Sequence, residues 1–244
     1  MFSPEHFIWI AICAVMIGAL LFCSLHFKWS KKTCIYIMSG IALASETVKI
    51  FTHIQNNGYI EKGALPFHLC SIFIFVFFFL CFSKNEKLNE KLISFFVPIG
   101  LFGGFLAIMM ATSGVNFAKP FAYQCFIYHA GIMWLALYFI CTKQVKLGLK
   151  DYIRNLVILF ALAIIMIWVN GMLTCQVTVD GVVEEFEPNF FYVVRAPASG
   201  LPFLNTNHGW YVYFAHLSCA GILLETLVSL PYIILEKKNS KKAK

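Results

Sequence analysis

The stretch Leu65-Pro66-Phe67-His68-Leu69-Cys70-Ser71 places a proline, a histidine and a thiol at the head of an apolar run that ends near Phe82. From Ile72 to Leu80 the run is Ile, Phe, Val and Leu only, so Cys70 is its strong nucleophile. A reactive group at the mouth of a greasy helix is expensive and is a functional candidate by default. A free cysteine is also a common small hydrophobe, inert when no base or positive charge stands beside it. His68 is two residues away, about 200° round a helix, and on that geometry is a poor base for Cys70. The decision therefore rests on whether other elements bring partners to the same depth.

Those elements are membrane helices. The chain has 244 residues, 60% hydrophobic and 13% charged, with 26 phenylalanines. Apolar runs at 7–25, 34–53, 66–82, 92–111, 123–141, 153–173 and 210–235 approach or reach the ~20 residues that cross a bilayer as a helix. This predicts an all-α, polytopic bundle of seven transmembrane helices over residues 1–236, followed by a basic tail, 237–244. No basic segment precedes the first run, which reads as a retained helix rather than a signal peptide. The net charge of +7 is not a nucleic-acid signature, because its distribution alternates. Fifteen of the 19 Lys and Arg lie in 28–32, 84–91, 143–154 and 237–244, between or after alternate runs. Positive charge marks the cytoplasmic side, so the N-terminus is expected outside and the C-terminus inside. The tail reads as an anchor beside anionic lipid. Nine cysteines without a C-x-x-C pattern indicate neither a zinc site nor a redox pair, and no cofactor is implied.

With that topology, polar residues on five runs reach one layer. Glu46, Lys49 and His53 share a helix face, and a Glu46–Lys49 pair would lower the cost of carrying both charges into the membrane. Counting from the outer ends at ~1.5 Å per residue, Glu46 lies about 10 Å, Cys70 about 6 Å, His129 about 9 Å, Asn170 about 6 Å and His216 about 9 Å deep. His129 and His216 are the candidate bases for Cys70, and Asn170 or Glu46 the candidate groups to orient the imidazole, as in catalytic triads. The inner halves of the helices hold few comparable groups, and Glu225 has no assigned role. Gly100, Gly103 and Gly104 read as close helix packing. The segment 174–209 is the one long loop, with a hairpin signal at Asp180-Gly181 and an aromatic stretch, Phe190–Val194, suited to a lid.

The helix opening at Leu65–Cys70, the His129 helix and the late segment Asn189–Pro197 resemble the YwaF-like bacterial integral membrane proteins. That group is related to animal transmembrane protein 164, an acyltransferase that remodels ether phospholipids with an active-site cysteine and a histidine. The resemblance runs from about 34 to 235. It implies a lipid acyltransferase of the bacterial plasma membrane, with membrane lipids as substrate, Cys70 as the acyl-accepting nucleophile and His129 as its base. Acyl hydrolysis differs only in using water as acceptor. From another class, the same polar layer would serve as the pocket of a small-solute binding or transport protein, coupled to protons through Glu46 and the histidines. A third reading is a structural or sensory seven-helix protein. A retinal pigment would need a lysine in the last run, and Trp210 to Leu235 has none.

Overall fold

In the computed structural model, residues 2–110, 114–179, 182–196 and 203–242 are described. Seven helices follow in order: α1 Pro4–His26, α2 Lys31–Asn57, α3 Leu69–Phe82, α4 Glu86–Met110, α5 Pro120–Cys141, α6 Leu149–Leu173 and α7 Trp210–Lys242. Between α6 and α7 lie an antiparallel hairpin, β1 Cys175–Val179 with β2 Val182–Phe186, and a 3-10 turn, Phe190–Tyr192. The hairpin flanks the expected Asp180-Gly181 turn, and that turn itself lies outside the described residues. Among the described residues, six helices are long and apolar enough to cross a membrane, which makes this a multi-pass membrane protein.

The helix ends follow local chemistry. Ser3 and Ser30 cap α1 and α2 by accepting from the His6 and Thr33 amides at 3.3 and 3.1 Å. Pro4 and Pro120 occupy first-turn positions, where the missing N–H costs nothing. Gly58 closes α2 at φ 76°, with its N–H on the Ile54 carbonyl. α3 departs from the expected length. It has 14 residues, or about 21 Å at ~1.5 Å each, against a hydrocarbon core of ~30 Å. Leu65, next to Pro66, takes ψ 149°, as a residue before proline must, and the chain turns through 65–68 before the helix starts. Apolar composition concealed that turn.

α5 is the central element. Trp134, Leu135, Ala136 and Phe139 are fully buried in it, and α4, α2 and α1 pack around it. The glycines of α4 set the approach. A Cβ on Gly104 would stand 2.6 Å from Met133 Cγ and 3.0 Å from the His129 carbonyl oxygen. A Cβ on Gly100 would meet Phe96 Cε2 at 2.5 Å and Ile132 Cγ2 at 3.1 Å. On α5, Gly131 faces Met38 of α2 in the same way. Phe73, Phe77, Phe96 and Phe139 fill the space beside this contact as an edge-to-face cluster, with Phe77 and Phe96 centroids 4.9 Å apart. α1 joins through His6, whose Nε2 meets the Ile108 carbonyl at 2.8 Å, and through Trp9 stacked on Phe126.

At the end of the bundle away from the hairpin, ion pairs bridge the connections: Lys31–Glu86 at 2.9 Å and Lys146–Glu90 at 2.8 Å. The Glu90 carboxylate holds the Lys146 ammonium above its ordinary pKa. Both pairs are solvent-facing and contribute little to stability.

Candidate active site at the hairpin end

Beneath the hairpin the helices enclose a cavity of about 780 Å³. Its wall includes Glu46, Lys49 and His53 from α2, Cys70 from α3, Gly103 from α4, and Tyr128 and His129 from α5. The 186–195 segment covers it, with Phe191, Tyr192 and Arg195 on the lining.

Cys70 is the second residue of α3, held between α4 and α5. A Cβ on Gly103 would stand 3.7 Å from its Sγ, so alanine there would touch the thiol. The Tyr128 hydroxyl donates to the Cys70 carbonyl at 2.7 Å and pins the first turn of α3 to α5. Cys70 and His129 line the same cavity, where adjacent glycines of α4 approach them: Gly103 the Cys70 thiol and Gly104 the His129 carbonyl. One side of the His129 ring is held within α5: Nδ1 lies 2.7 Å from the Cys125 carbonyl oxygen and 3.6 Å from its Sγ. A carbonyl only accepts, so the proton of the neutral ring is on Nδ1. Nε2 is then left with its lone pair for the thiol. Here a backbone carbonyl one helical turn away does the orienting that a third side chain does in a triad.

The other expected residues divide. Glu46 and Lys49 form a 2.8 Å ion pair on the cavity wall, with side chains only 14% and 11% exposed. His53 sits near Glu61, Nδ1 to Oε2 3.9 Å. His68 is not a helix residue on the far face. It is the extended N-cap of α3 at ψ 149°, so a rotation of 100° per residue does not apply to it, and it lines the same cavity. Its ring packs against Phe190 and Tyr192 at 5.2 and 5.5 Å.

Asn170 and His216 stand apart from the thiol. Buried Asn170 donates from Nδ2 to the Phe190 carbonyl at 3.1 Å and accepts the Phe190 N–H at 2.9 Å. Its amide is spent on the N–H and C=O of one residue, Phe190, and orients no imidazole. His216 meets the Phe203 carbonyl through Nδ1 at 2.6 Å and does not line the cavity. Of the two candidate bases, His129 lines the cavity with Cys70 and His216 does not.

The Asn170 clamp secures the covering segment. Phe191 and Tyr192 have φ of 58° and 54°, a left-handed backbone that bulky residues adopt only when their surroundings demand it. Trp210 Nε1 donates to the Val193 carbonyl at 2.8 Å, and the Tyr213 hydroxyl donates to the Tyr192 carbonyl. Asn189 Oδ1 accepts from the Val194 and Arg195 amides, both at 3.2 Å. Asn170→Ala would leave the buried amide of Phe190 without its partner, a loss of ~1–3 kcal/mol, and its carbonyl with only the 3.4 Å bond from the Val193 N–H. The expected outcome is a lower unfolding temperature and faster proteolysis within 187–196. Unchanged proteolysis would remove the clamp from the account.

Several contributors had no clear signature in the sequence. Tyr128 is a buried aromatic among many, and the Cys125 carbonyl is invisible to residue type. Gln124 Nε2 donates to Ser45 Oγ at 2.7 Å, and these two residues line both the main cavity and a second groove of about 470 Å³ between α2 and α5. Farther from the hairpin, the bundle is more polar than expected. Asn155 Nδ2 donates to Glu225 Oε1 and to the Ser94 carbonyl, both at 2.9 Å, and Arg154 reaches Ser94 Oγ at 3.0 Å. Among the described residues, no three or more His, Cys, Asp or Glu are grouped to hold a metal ion.

The profile of the TMEM164 family matches residues 1–228. The chain belongs to the TMEM164 family. The match includes every helix that lines the cavity, and only the last part of α7 with the basic tail falls outside it. No curated protein and no solved structure matches the chain. The family assignment supports the relation to transmembrane protein 164 that the sequence resemblance implied.

Proposed function

We propose that this TMEM164-family chain is an integral membrane lipid acyltransferase that moves a fatty acyl chain between phospholipids through a Cys70 thioester. The observation that carries the reading is that Cys70 and His129 share one cavity wall, with Nδ1 of the imidazole occupied by its own helix. His129 Nε2 takes the thiol proton as Sγ attacks the ester carbonyl carbon of a phospholipid. The ester C–O bond breaks, the leaving lysolipid oxygen takes the proton back from His129, and the acyl group stays on sulfur. In the second half, His129 takes a proton from the acceptor hydroxyl, which attacks the thioester carbonyl. Cys70 leaves as thiolate and is reprotonated. The N–H groups of the first turn of α3 have no side-chain cap and are the nearest backbone donors for the oxyanion. The covering 186–195 segment acts as a lid that limits water, which favours transfer over hydrolysis.

The direct test incubates purified protein with phospholipid and examines Cys70 by intact-mass and peptide mass spectrometry, with and without hydroxylamine. A hydroxylamine-sensitive acyl mass on Cys70, absent from Cys70→Ala, is expected. No adduct, together with full function of Cys70→Ser, would make the cavity a ligand pocket of the solute-binding kind.

The setting we propose is a bacterial plasma membrane, with seven membrane-inserted helices, the hairpin outside and the tail in the cytoplasm. The orientation rests on the lysine and arginine asymmetry of the connections, and the bacterial setting on the sequence resemblance. A reporter fused after Lys244 should be active only in the cytoplasm. Activity in the extracytoplasmic compartment would reverse the orientation.

A further inference from the structure

Glu225 is a buried carboxyl that the acyl-transfer chemistry does not use, and it lines the same cavity as Cys70. We propose that it forms a polar floor to the acyl cavity and discriminates acyl chains about ten carbons from the thioester. The inference rests on the reading of Cys70 as acyl carrier and adds which chains it carries.

The wall between the two residues is apolar, with Ile74, Ile99, Phe102, Leu159, Phe160 and Leu217 on the lining. Such a surface suits methylenes. Glu225 interrupts it at 3% exposure. Oε1 accepts from Asn155 Nδ2 at 2.9 Å and from Ser229 Oγ at 3.4 Å. Asn155 is tied in turn to the Ser94 carbonyl, so the carboxyl is held by α4, α6 and its own helix. Both hydrogen bonds found among the described residues fall on Oε1, and the residue lines the cavity, so Oε2 is assigned to the face the chain would meet.

The depth follows from α4. Gly103 marks the level of the Cys70 sulfur, and Ser94 marks the level of the Asn155–Glu225 bond. Nine residues separate them, about 13 Å at ~1.5 Å per residue. An extended alkyl chain advances ~1.25 Å per carbon, the projection of its ~1.5 Å bonds, so roughly the tenth carbon reaches the carboxyl. A methylene there strips Oε2 of hydrogen-bonding partners and gives nothing back. A chain that stops short leaves room for water, and a chain with a hydroxyl at that depth supplies the bond. Glu225 is thus a specificity-determining residue, remote from the reacting atoms.

The test offers the protein an equimolar mixture of phospholipids with one head group and decanoyl, stearoyl or 10-hydroxystearoyl chains. The chains on Cys70 are then identified by peptide mass spectrometry. Wild type should take decanoyl and 10-hydroxystearoyl over stearoyl by on the order of tenfold, the scale expected for one desolvated polar group. Glu225→Gln, which keeps hydrogen-bonding atoms at the floor, should retain the preference, and Glu225→Leu should erase it. Equal use of the three chains by wild type, or an unchanged preference in Glu225→Leu, overturns the floor. If Glu225→Leu does not fold, the wild-type profile alone still decides. The same mixture is offered to Cys70→Ala protein, and the lipid it retains is measured. No adduct on wild type but selective retention by Cys70→Ala would end the acyl-carrier reading and leave the floor standing. Flat retention would end the floor.

Discussion

Replacing His129 with alanine is expected to abolish acyl adduct formation on Cys70 while the protein stays folded. The expected loss of rate is about 10²- to 10⁴-fold, the usual contribution of a positioned general base. The reason is geometric. Its Nδ1 is committed to the Cys125 carbonyl 2.7 Å away, which orients the ring and leaves Nε2 to accept the thiol proton. Cys125→Ala is the informative control, because it removes a side chain and keeps that carbonyl. An adduct that survives Cys125→Ala and is lost in His129→Ala locates the effect in the imidazole. His68→Ala should weaken the packing against Phe190 and Tyr192 but leave the adduct in place, since His68 caps α3 and stacks on the lid. Loss of the adduct in His68→Ala with retention in His129→Ala would transfer the role of base to the N-cap.

Which parts of this arrangement were legible in the sequence follows from what composition can record. Helices that need only length and apolarity were visible, as was the hairpin, because Asp180-Gly181 between alternating residues has a local signature. Residues 65–68 were misread as helix because Leu, Pro and Phe are as apolar as the helix they precede. Only the proline hinted at a turn. That error carried over to His68, whose supposed direction depended on helical rotation. Cys70 and His129 were visible as reactive types at matching depth. Their place on one cavity wall was not, because Gly103 and Gly104 bring α4 close to the thiol and to the α5 backbone. Asn170 was recognised as buried and polar, yet its partners are the backbone groups of a residue twenty positions later in a loop. No periodicity reports such a bond. Glu225 was equally unreadable alone, since its meaning comes from Asn155 on another helix.

Lys49→Ala is expected to destabilise the bundle more than the double change Glu46→Gln with Lys49→Met. The two residues are three apart on α2, paired at 2.8 Å, and mostly shielded from solvent. Removing the lysine alone leaves a carboxylate facing an apolar cavity, and breaking such a buried pair typically costs ~3–5 kcal/mol. The double change removes both charges, keeps the volume of both side chains, and leaves an amide that can share hydrogen bonds. Replacement of a buried pair by neutral groups of similar size is often neutral or stabilising by ~1–4 kcal/mol. Thermal unfolding of the wild type, Glu46→Gln, Lys49→Met and the double variant closes the cycle and yields the coupling, with Lys49→Ala measured beside it. A double variant no more stable than Lys49→Ala would mean that the ammonium is held by something other than Glu46. The same proteins separate stability from chemistry. The pair lines the cavity beside Tyr128, whose hydroxyl pins the Cys70 carbonyl, and neither residue is asked to move a proton. A stable double variant should therefore still form the Cys70 adduct. If it folds and forms none, a charge at position 46 or 49 takes part in binding the lipid.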